Sequence, residues 1–310
     1  MVVETSRYPD VVMADNVERI AIRIWSAGVP LSGHMYRPKH LGKTDICPAV
    51  VLTHGWGGNK LTGARYAAKF AASRMIAICF THSGFGESGS PAWVQGEAPE
   101  PDSNNEAVAR IRVERGFVNP IDWIRSFRAA VNFAAGEPNV DSDRIGAWGT
   151  SYGGGIASYC AATDKRIKAL VSQVGLIFDI FTEHEELRTE AKQRAIQMAR
   201  GEAAPFPTSK DAIITEGGNL AGAHLARMLE YDIDDKMRQL SIPTMILDAE
   251  NEKYFQLSHG RDVADILKAK GVPVRYEVIS GVGHYEIYFE GFERSSRLAH
   301  EWFVENLLDR

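Results

Sequence analysis

The stretch Arg144-Ile145-Gly146-Ala147-Trp148-Gly149-Thr150-Ser151-Tyr152-Gly153-Gly154-Gly155 decides the reading of this chain. Its first half, Arg144–Gly149, is a short apolar run that predicts a strand, and the residues from Tyr152 to Ala162 predict a helix. Between them lies G-x-S-x-G. In a random loop that pattern means little. At a strand-to-helix turn the flanking glycines permit a strained backbone that pushes the serine hydroxyl outward, so Ser151 is a candidate nucleophile. The helix that follows aims N–H groups and a partial positive charge at any anion forming there.

Outward from this turn, apolar and β-branched runs recur at Glu18–Trp25, Val29–Pro38, Cys47–His54, Met75–Thr81, Ile167–Val174, Pro243–Asp248 and Val274–Ser280. With Arg144–Gly149 they make eight expected strands. The runs Ala49–Leu52 and Met245–Leu247 are continuously apolar, as parallel strands covered on both faces should be. Helices are expected at Leu61–Ser73, Pro120–Ala135, Gln256–Lys270 and Phe292–Leu308. Pro120 suits a first helical turn, where its missing N–H costs nothing. Only Ser26-Ala27-Gly28 separates the first two runs, so they read as an antiparallel hairpin. The later alternation of strand and helix implies a mostly parallel α/β sheet.

Two stretches depart from the alternation. Residues Ser83–Asn119 are rich in glycine and proline and read as a long loop. Residues 175–236 are long enough for a helical insert, leaving 1–174 and 237–310 as the core. Within the insert, Thr182 and Glu185 match a capping box, and Leu187, Ala191, Ala195 and Met198 form one helical stripe before Gly201. A second helix is expected over Leu220–Leu229. The insert reads as a cover for the site, with a homodimer interface as the alternative.

A serine hydroxyl needs a base, and the base needs an orienting acid. His284, in Ser280-Gly281-Val282-Gly283-His284-Tyr285 directly after the last expected strand, is the candidate base. After the strand Pro243–Asp248 come three carboxylates, Asp248, Glu250 and Glu252, any of which could orient it. Glu252 lies farthest into the loop and is preferred. Upstream, His54-Gly55-Trp56-Gly57-Gly58 follows a buried strand. The backbone N–H groups of Trp56 and Tyr152 are the candidate donors to a developing oxyanion, each such donor being worth about 10²–10³ in rate. His54 is expected to brace this loop rather than to act as the base. Phe85, Trp93, Phe178, Phe181 and Tyr285 sit on loops or insert segments that could meet over Ser151 and contact substrate.

The composition narrows the function without naming it. The 310 residues are 45% hydrophobic and 24% charged, an ordinary globular balance. Forty acidic and 35 basic residues are interspersed and give a net charge of −5, which argues against a nucleic-acid partner. No stretch approaches 18 apolar residues and the first residues lack a leader pattern, so no membrane association and a cytoplasmic location are expected. The three cysteines, Cys47, Cys79 and Cys160, show no paired spacing and read as small buried hydrophobes. No metal-ligand pattern occurs.

Taken together, the hairpin Gly28–Pro38, the loop His54–Gly58, the elbow Gly149–Gly155 and the final Gly283-His284 resemble the α/β-hydrolase superfamily in order and over nearly the full length. The elbow Gly149-Thr150-Ser151-Tyr152-Gly153-Gly154 resembles the dienelactone-hydrolase-like and prolyl-oligopeptidase-like branches. Their acid stands in a G-x-x-D turn, matched here by Ala249-Glu250-Asn251-Glu252, which supports Glu252 although Ala replaces Gly and Glu replaces Asp. Dienelactone hydrolases carry a cysteine nucleophile where this chain has Ser151, so their substrate is not inherited. In Thr81-His82-Ser83-Gly84-Phe85-Gly86-Glu87-Ser88 the family's G-x-G-x-S is kept, while Thr81 and Ser83 replace a frequent Asp and Arg. The resemblance implies an eight-stranded sheet with a helical cap insert. It further implies ester or lactone cleavage through an acyl-enzyme, no cofactor, and a small acyl compound as substrate; peptide or amide cleavage is the rival, and a non-catalytic binder the more distant one.

Overall fold

The computed structural model describes residues 8–204 and 222–308. The chain opens with a hairpin, β1 (Val17–Ser26) and β2 (Val29–Pro38), closed by Ala27 and Gly28, both at positive φ. Then follow β3 (Cys47–Thr53), α1 (Ala64–Ala72) and β4 (Ile76–Phe80). The loop-rich stretch carries three short strands, β5 (Ala92–Val94), β6 (Ile111–Val113) and β7 (Phe117–Val118). Strands of two or three residues leave no periodicity to read. Next come α2 (Pro120–Gly136), β8 (Val140–Thr150), α3 (Tyr152–Thr163) and β9 (Ile167–Gln173). After β9 come α4 (Glu185–Ala199), β10 (Gly222–Ala223), α5 (Leu225–Met228) and α6 (Ile233–Gln239), the last running across the boundary expected at residue 236. The chain finishes with β11 (Thr244–Ala249), α7 (Ser258–Ala269), β12 (Val274–Ile279) and α8 (Phe292–Phe303), which runs on into a π turn.

Eight strands form one sheet in the order β1-β2-β4-β3-β8-β9-β11-β12. The β1–β2 and β2–β4 pairs are antiparallel, and the pairs from β4 through β12 are parallel. Burial follows position in the sheet: β1, at the edge, alternates buried and open residues, whereas every residue of β3 is buried. Alternate side chains of β8 feed two cores. Ile145 and Ala147 face Trp123, Phe127 and Ile156 under α2 and α3, while Trp148 faces Tyr66, Phe70 and Phe303 under α1 and α8. Asn119 caps α2 by accepting the N–H groups of Ile121 and Asp122, with Pro120 in the first turn. All three cysteines are buried and free. Among the described residues, no helix is long and apolar enough to cross a membrane.

Two local expectations in the insert are corrected. Thr182 does not cap α4 with Glu185: it ends a 3₁₀ turn, Ile180–Thr182, whose cap is Asp179 accepting the Phe181 N–H, and His184 stands at the start of α4. The carboxylate of Asp179 wins because it reaches that N–H two residues away, tightening the chain before the helix begins. The helix expected over Leu220–Leu229 is the short α5. Leu220 and Ala221 lie outside the described residues, and Gly222 and Ala223 are drawn into pairing with β7. The stripe on α4 is present, with Ala191 buried and Leu187, Ala195 and Met198 half-buried.

Candidate active site

Strand order reverses between β3, whose chain continues to β4 on one side, and β8, whose chain continues to β9 on the other. A crevice opens at the carboxyl ends of the strands at such a point. Thr53 and Gly149 are register partners there, so the turn Gly55–Gly58 and the turn Thr150–Tyr152 leave the sheet side by side. Approach is close enough to dictate composition: a Cβ on Gly153 would lie 2.2 Å from the His54 carbonyl oxygen, and one on Gly149 would lie 2.2 Å from the Gly153 carbonyl oxygen. Neither position accepts a side chain without moving backbone.

Ser151 stands on this turn with φ 55° and ψ −131°, a conformation L residues rarely adopt. The strain is held by its own backbone: the Ser151 N–H donates to Gln173 O at 3.0 Å, and its carbonyl accepts from the N–H groups of Gly154 at 2.8 Å and Leu176 at 3.0 Å. Tyr152 opens α3, so its N–H precedes the intrahelical ladder, and Trp56 sits in the neighbouring turn, its ring edge-on to that of Tyr152 at 5.4 Å.

His284 lies in the loop beyond β12 and is 6% exposed. Its Nε2 is 3.0 Å from Ser151 Oγ and its Nδ1 is 2.7 Å from Glu252 Oε2. The other Glu252 oxygen accepts the N–H groups of Lys253 and Tyr254, each at 2.9 Å, which fixes the carboxylate against the histidine. The two remaining acids are placed elsewhere. Glu250 accepts the Gly281 N–H at 2.7 Å, tying the two loops together. Asp248 is buried at the end of β11, where burial, and then the charge of Glu252, push its carboxyl up to about 7 against the pull of the Tyr276 hydroxyl. Two further backbone bonds, Glu250 N–H to Ile279 O and Asn251 N–H to Val282 O, lock the acid loop to the histidine loop.

His54 is buried beneath the elbow. Its Nε2 accepts the His82 N–H at 3.1 Å, and its Nδ1 donates to Gly55 O at 2.8 Å. The imidazole thus joins the ends of β3 and β4 and holds the backbone next to Trp56. His82, bonded to Thr53 Oγ1 at 2.6 Å and stacked on Trp123 at 3.9 Å, is pushed well below the ordinary histidine range by burial and by His54. The two imidazoles therefore brace the site from below.

Ser151 and His284 open onto a cavity of about 360 Å³. Of the aromatic residues expected to contact substrate, Phe178 and Tyr285 line it. Phe85 does not: it packs edge-on to Trp123 in the core. Phe181 is also buried, beneath the Arg188 guanidinium. Trp93 sits on β5 at a separate cleft and gives its indole N–H to Glu114 at 3.2 Å. In each case a large ring finds an apolar wall or a polar partner away from the crevice. The remaining walls are Trp56, Tyr152, Leu176, Ile180, Leu187, Tyr254 and Phe255, with Glu183 and His184 as polar members. Leu187 was visible as the first residue of the α4 stripe. Leu176, directly after β9, carries no motif.

A sheet of this order, with a serine on the turn between its fifth-placed strand β8 and the following helix, defines an α/β hydrolase. The chain belongs to the prolyl oligopeptidase family, whose model matches residues 123–309. It is 25% identical over 290 residues to a 31.7 kDa protein of the traX-finO intergenic region of Escherichia coli, covering 84% of this chain and 91% of that one. It is 27% identical over 188 residues to the thiohydrolase aneE of Aspergillus aculeatus, covering 58% of this chain and 51% of that one. Among solved structures, Est1E of Butyrivibrio proteoclasticus with bound ferulic acid superposes with a TM-score of 0.67 at 16% identity, covering 93% of this chain and all of that one. At that identity the likeness is one of fold.

Proposed function

We propose that this chain is a serine hydrolase that cleaves carboxylic esters, thioesters or lactones through an acyl-enzyme on Ser151. The observation that carries the reading is the hydrogen-bonded series Ser151–His284–Glu252, at 3.0 and 2.7 Å, opening onto an apolar cavity. Ser151 Oγ attacks the carbonyl carbon as His284 Nε2 takes its proton. Glu252 holds the Nδ1–H and stabilises the imidazolium. The N–H groups of Trp56 and Tyr152 receive the oxyanion. His284 returns the proton to the leaving oxygen or sulfur, and water, deprotonated by the same imidazole, then releases the acyl group. Activity falls on the acid side, because a protonated imidazole cannot accept the serine proton.

In this reading the described start of the insert covers the site: Phe178, Ile180 and Leu187 line the cavity in which Ser151 and His284 stand. Thiohydrolase aneE, a relative with a hydrolytic name, and the Est1E fold, solved with an aromatic acid, support acyl-group cleavage. The family match supports a second reading, a small-peptide or amide hydrolase using the same residues. Turnover of p-nitrophenyl acyl esters measured against aminoacyl p-nitroanilides separates the two. The proposal expects esters to be cleaved and anilides to be poor; an enzyme that prefers anilides is a peptidase.

A further inference from the structure

The cavity beside Ser151 is apolar and aromatic along most of its wall, yet one carboxylate, Glu183, is built into it. That carboxylate is held in place. Its Oε1 lies 2.6 Å from His259 Nε2 on α7, and the His259 ring stacks on Phe178 at 3.6 Å with the planes 17° apart. The nearby guanidinium, Arg188, is occupied by Asp179 at 2.9 Å and Glu185 at 3.0 Å. Glu183 Oε2 has no protein donor among the described residues. The Glu183 side chain keeps 19% of its surface exposed at the cavity, so a charged donor on a ligand can pair with this oxygen in place of water, and a charge-assisted hydrogen bond is the stronger kind.

We propose that Glu183 is a specificity-determining residue that selects substrates carrying a hydrogen-bond donor, above all an ammonium group, remote from the scissile carbonyl, and that disfavours substrates ending in a carboxylate. The substrate class is then an ester or thioester with an apolar body and an amino-bearing far end. His259 is the positioning partner, fixing the carboxylate through its Nε2–H while Phe178 fixes the imidazole plane. This inference rests on the ester-hydrolase reading above.

The test uses matched p-nitrophenyl esters over a series of acyl lengths, ending in ammonium, methyl or carboxylate. A second series of alkyl acetates with the same ends on the alcohol side covers the opposite orientation in the cavity. In at least one series, kcat/KM of the wild type is expected to be highest for the ammonium end and lowest for the carboxylate end. Glu183→Gln is expected to lower the ammonium-to-methyl ratio by about 10- to 100-fold, the loss that accompanies removal of a hydrogen bond to a charged group, with the change carried mainly by KM. The methyl-ended ester serves as the internal reference in each enzyme. An ammonium-to-methyl ratio at or below one in both series overturns the inference, as does a Gln variant in which both rates fall in parallel, since that marks Glu183 as a brace of the insert alone. Failure of the wild type to cleave any of the esters removes the ester-hydrolase reading and this inference with it.

Discussion

Thr53 of β3 and Gly149 of β8 are direct partners in the parallel ladder, and the site follows from that pairing. Each is the last or nearly the last residue of its strand, so the chain carrying His54, Gly55 and Trp56 leaves the sheet alongside the chain carrying Ser151 and Tyr152. The proposed nucleophile and the proposed backbone donors of a neighbouring loop are thereby brought together by sheet register rather than by side-chain contacts.

The close approach of the two turns predicts intolerance at Gly153. Gly153→Ala would place a methyl 2.2 Å from the His54 carbonyl oxygen, so backbone must move. A loss of about 2 kcal/mol or more is expected, read as a lower Tm or a fall in soluble yield. Gly136→Ala, where a Cβ meets nothing within 4 Å, serves as the control and is expected to leave Tm unchanged or slightly higher.

Three acids follow β11, and their environments predict unequal effects. Glu252→Gln keeps the shape of the side chain but removes the charge facing His284 Nδ1, and kcat for ester cleavage is expected to fall by about 10⁴. Glu250→Gln perturbs only the bond to the Gly281 N–H and is expected to cost far less. Equal losses in the two variants, measured at saturating substrate, would remove Glu252 from its role.

His54 and His284 are separable by experiment. His54→Ala leaves the His82 N–H and the Gly55 carbonyl without their partner, so about 1–3 kcal/mol of stability is expected to go, with a reduced kcat from a loosened Trp56 turn. His284→Ala is expected to retain its unfolding midpoint far better while losing nearly all turnover. Denaturant unfolding and ester kinetics on both variants decide the matter.

Buried carboxyls give a pH dependence of stability. Burial raises Glu114 from 4.5 to about 7 and Asp248 from 3.8 to about 7. Between the ordinary value and about 7 the folded chain keeps protons that the unfolded chain has released, so these groups make stability fall as pH rises through that window. Below the ordinary carboxylate range their contribution is complete; above about 7 it is gone. Glu114→Gln and Asp248→Asn are each expected to lessen the decline between about pH 4.5 and 7.5 by about 1–3 kcal/mol, followed by urea unfolding across the range. Curves that stay parallel to the wild type would show that the carboxyls ionise alike in both states.

The large sheet was legible because its strands announce themselves by apolar runs and its helices by caps such as Asn119-Pro120; all eight runs pair in one sheet. The elbow, the loop after β3 and the loop after β12 were legible because glycine next to a reactive side chain is a local signal. Strand β8 begins at Val140, four residues before the apolar run, because Asp141, Ser142 and Asp143 are polar in sequence yet extended by continuation of the strand. The cavity wall was legible only in part. Phe85, Phe181 and Trp93 resemble Phe178 in sequence, and which ring turns into the crevice is decided by tertiary neighbours such as Trp123, Arg188 and Glu114. Glu183 drew no notice because a single acid beside His184 and Glu185 reads as solvated charge until the fold brings His259 to it.

The central claim is that Ser151 is the nucleophile of an acyl-transfer reaction. Its most direct measurement is intact-mass and peptide-level mass spectrometry after exposure to a fluorophosphonate, run beside ester turnover for wild type and Ser151→Ala. The account predicts one adduct, on Ser151, with no adduct and a kcat loss on the order of 10⁶ in the variant. An adduct on another residue, or ester turnover that survives in Ser151→Ala, would contradict it.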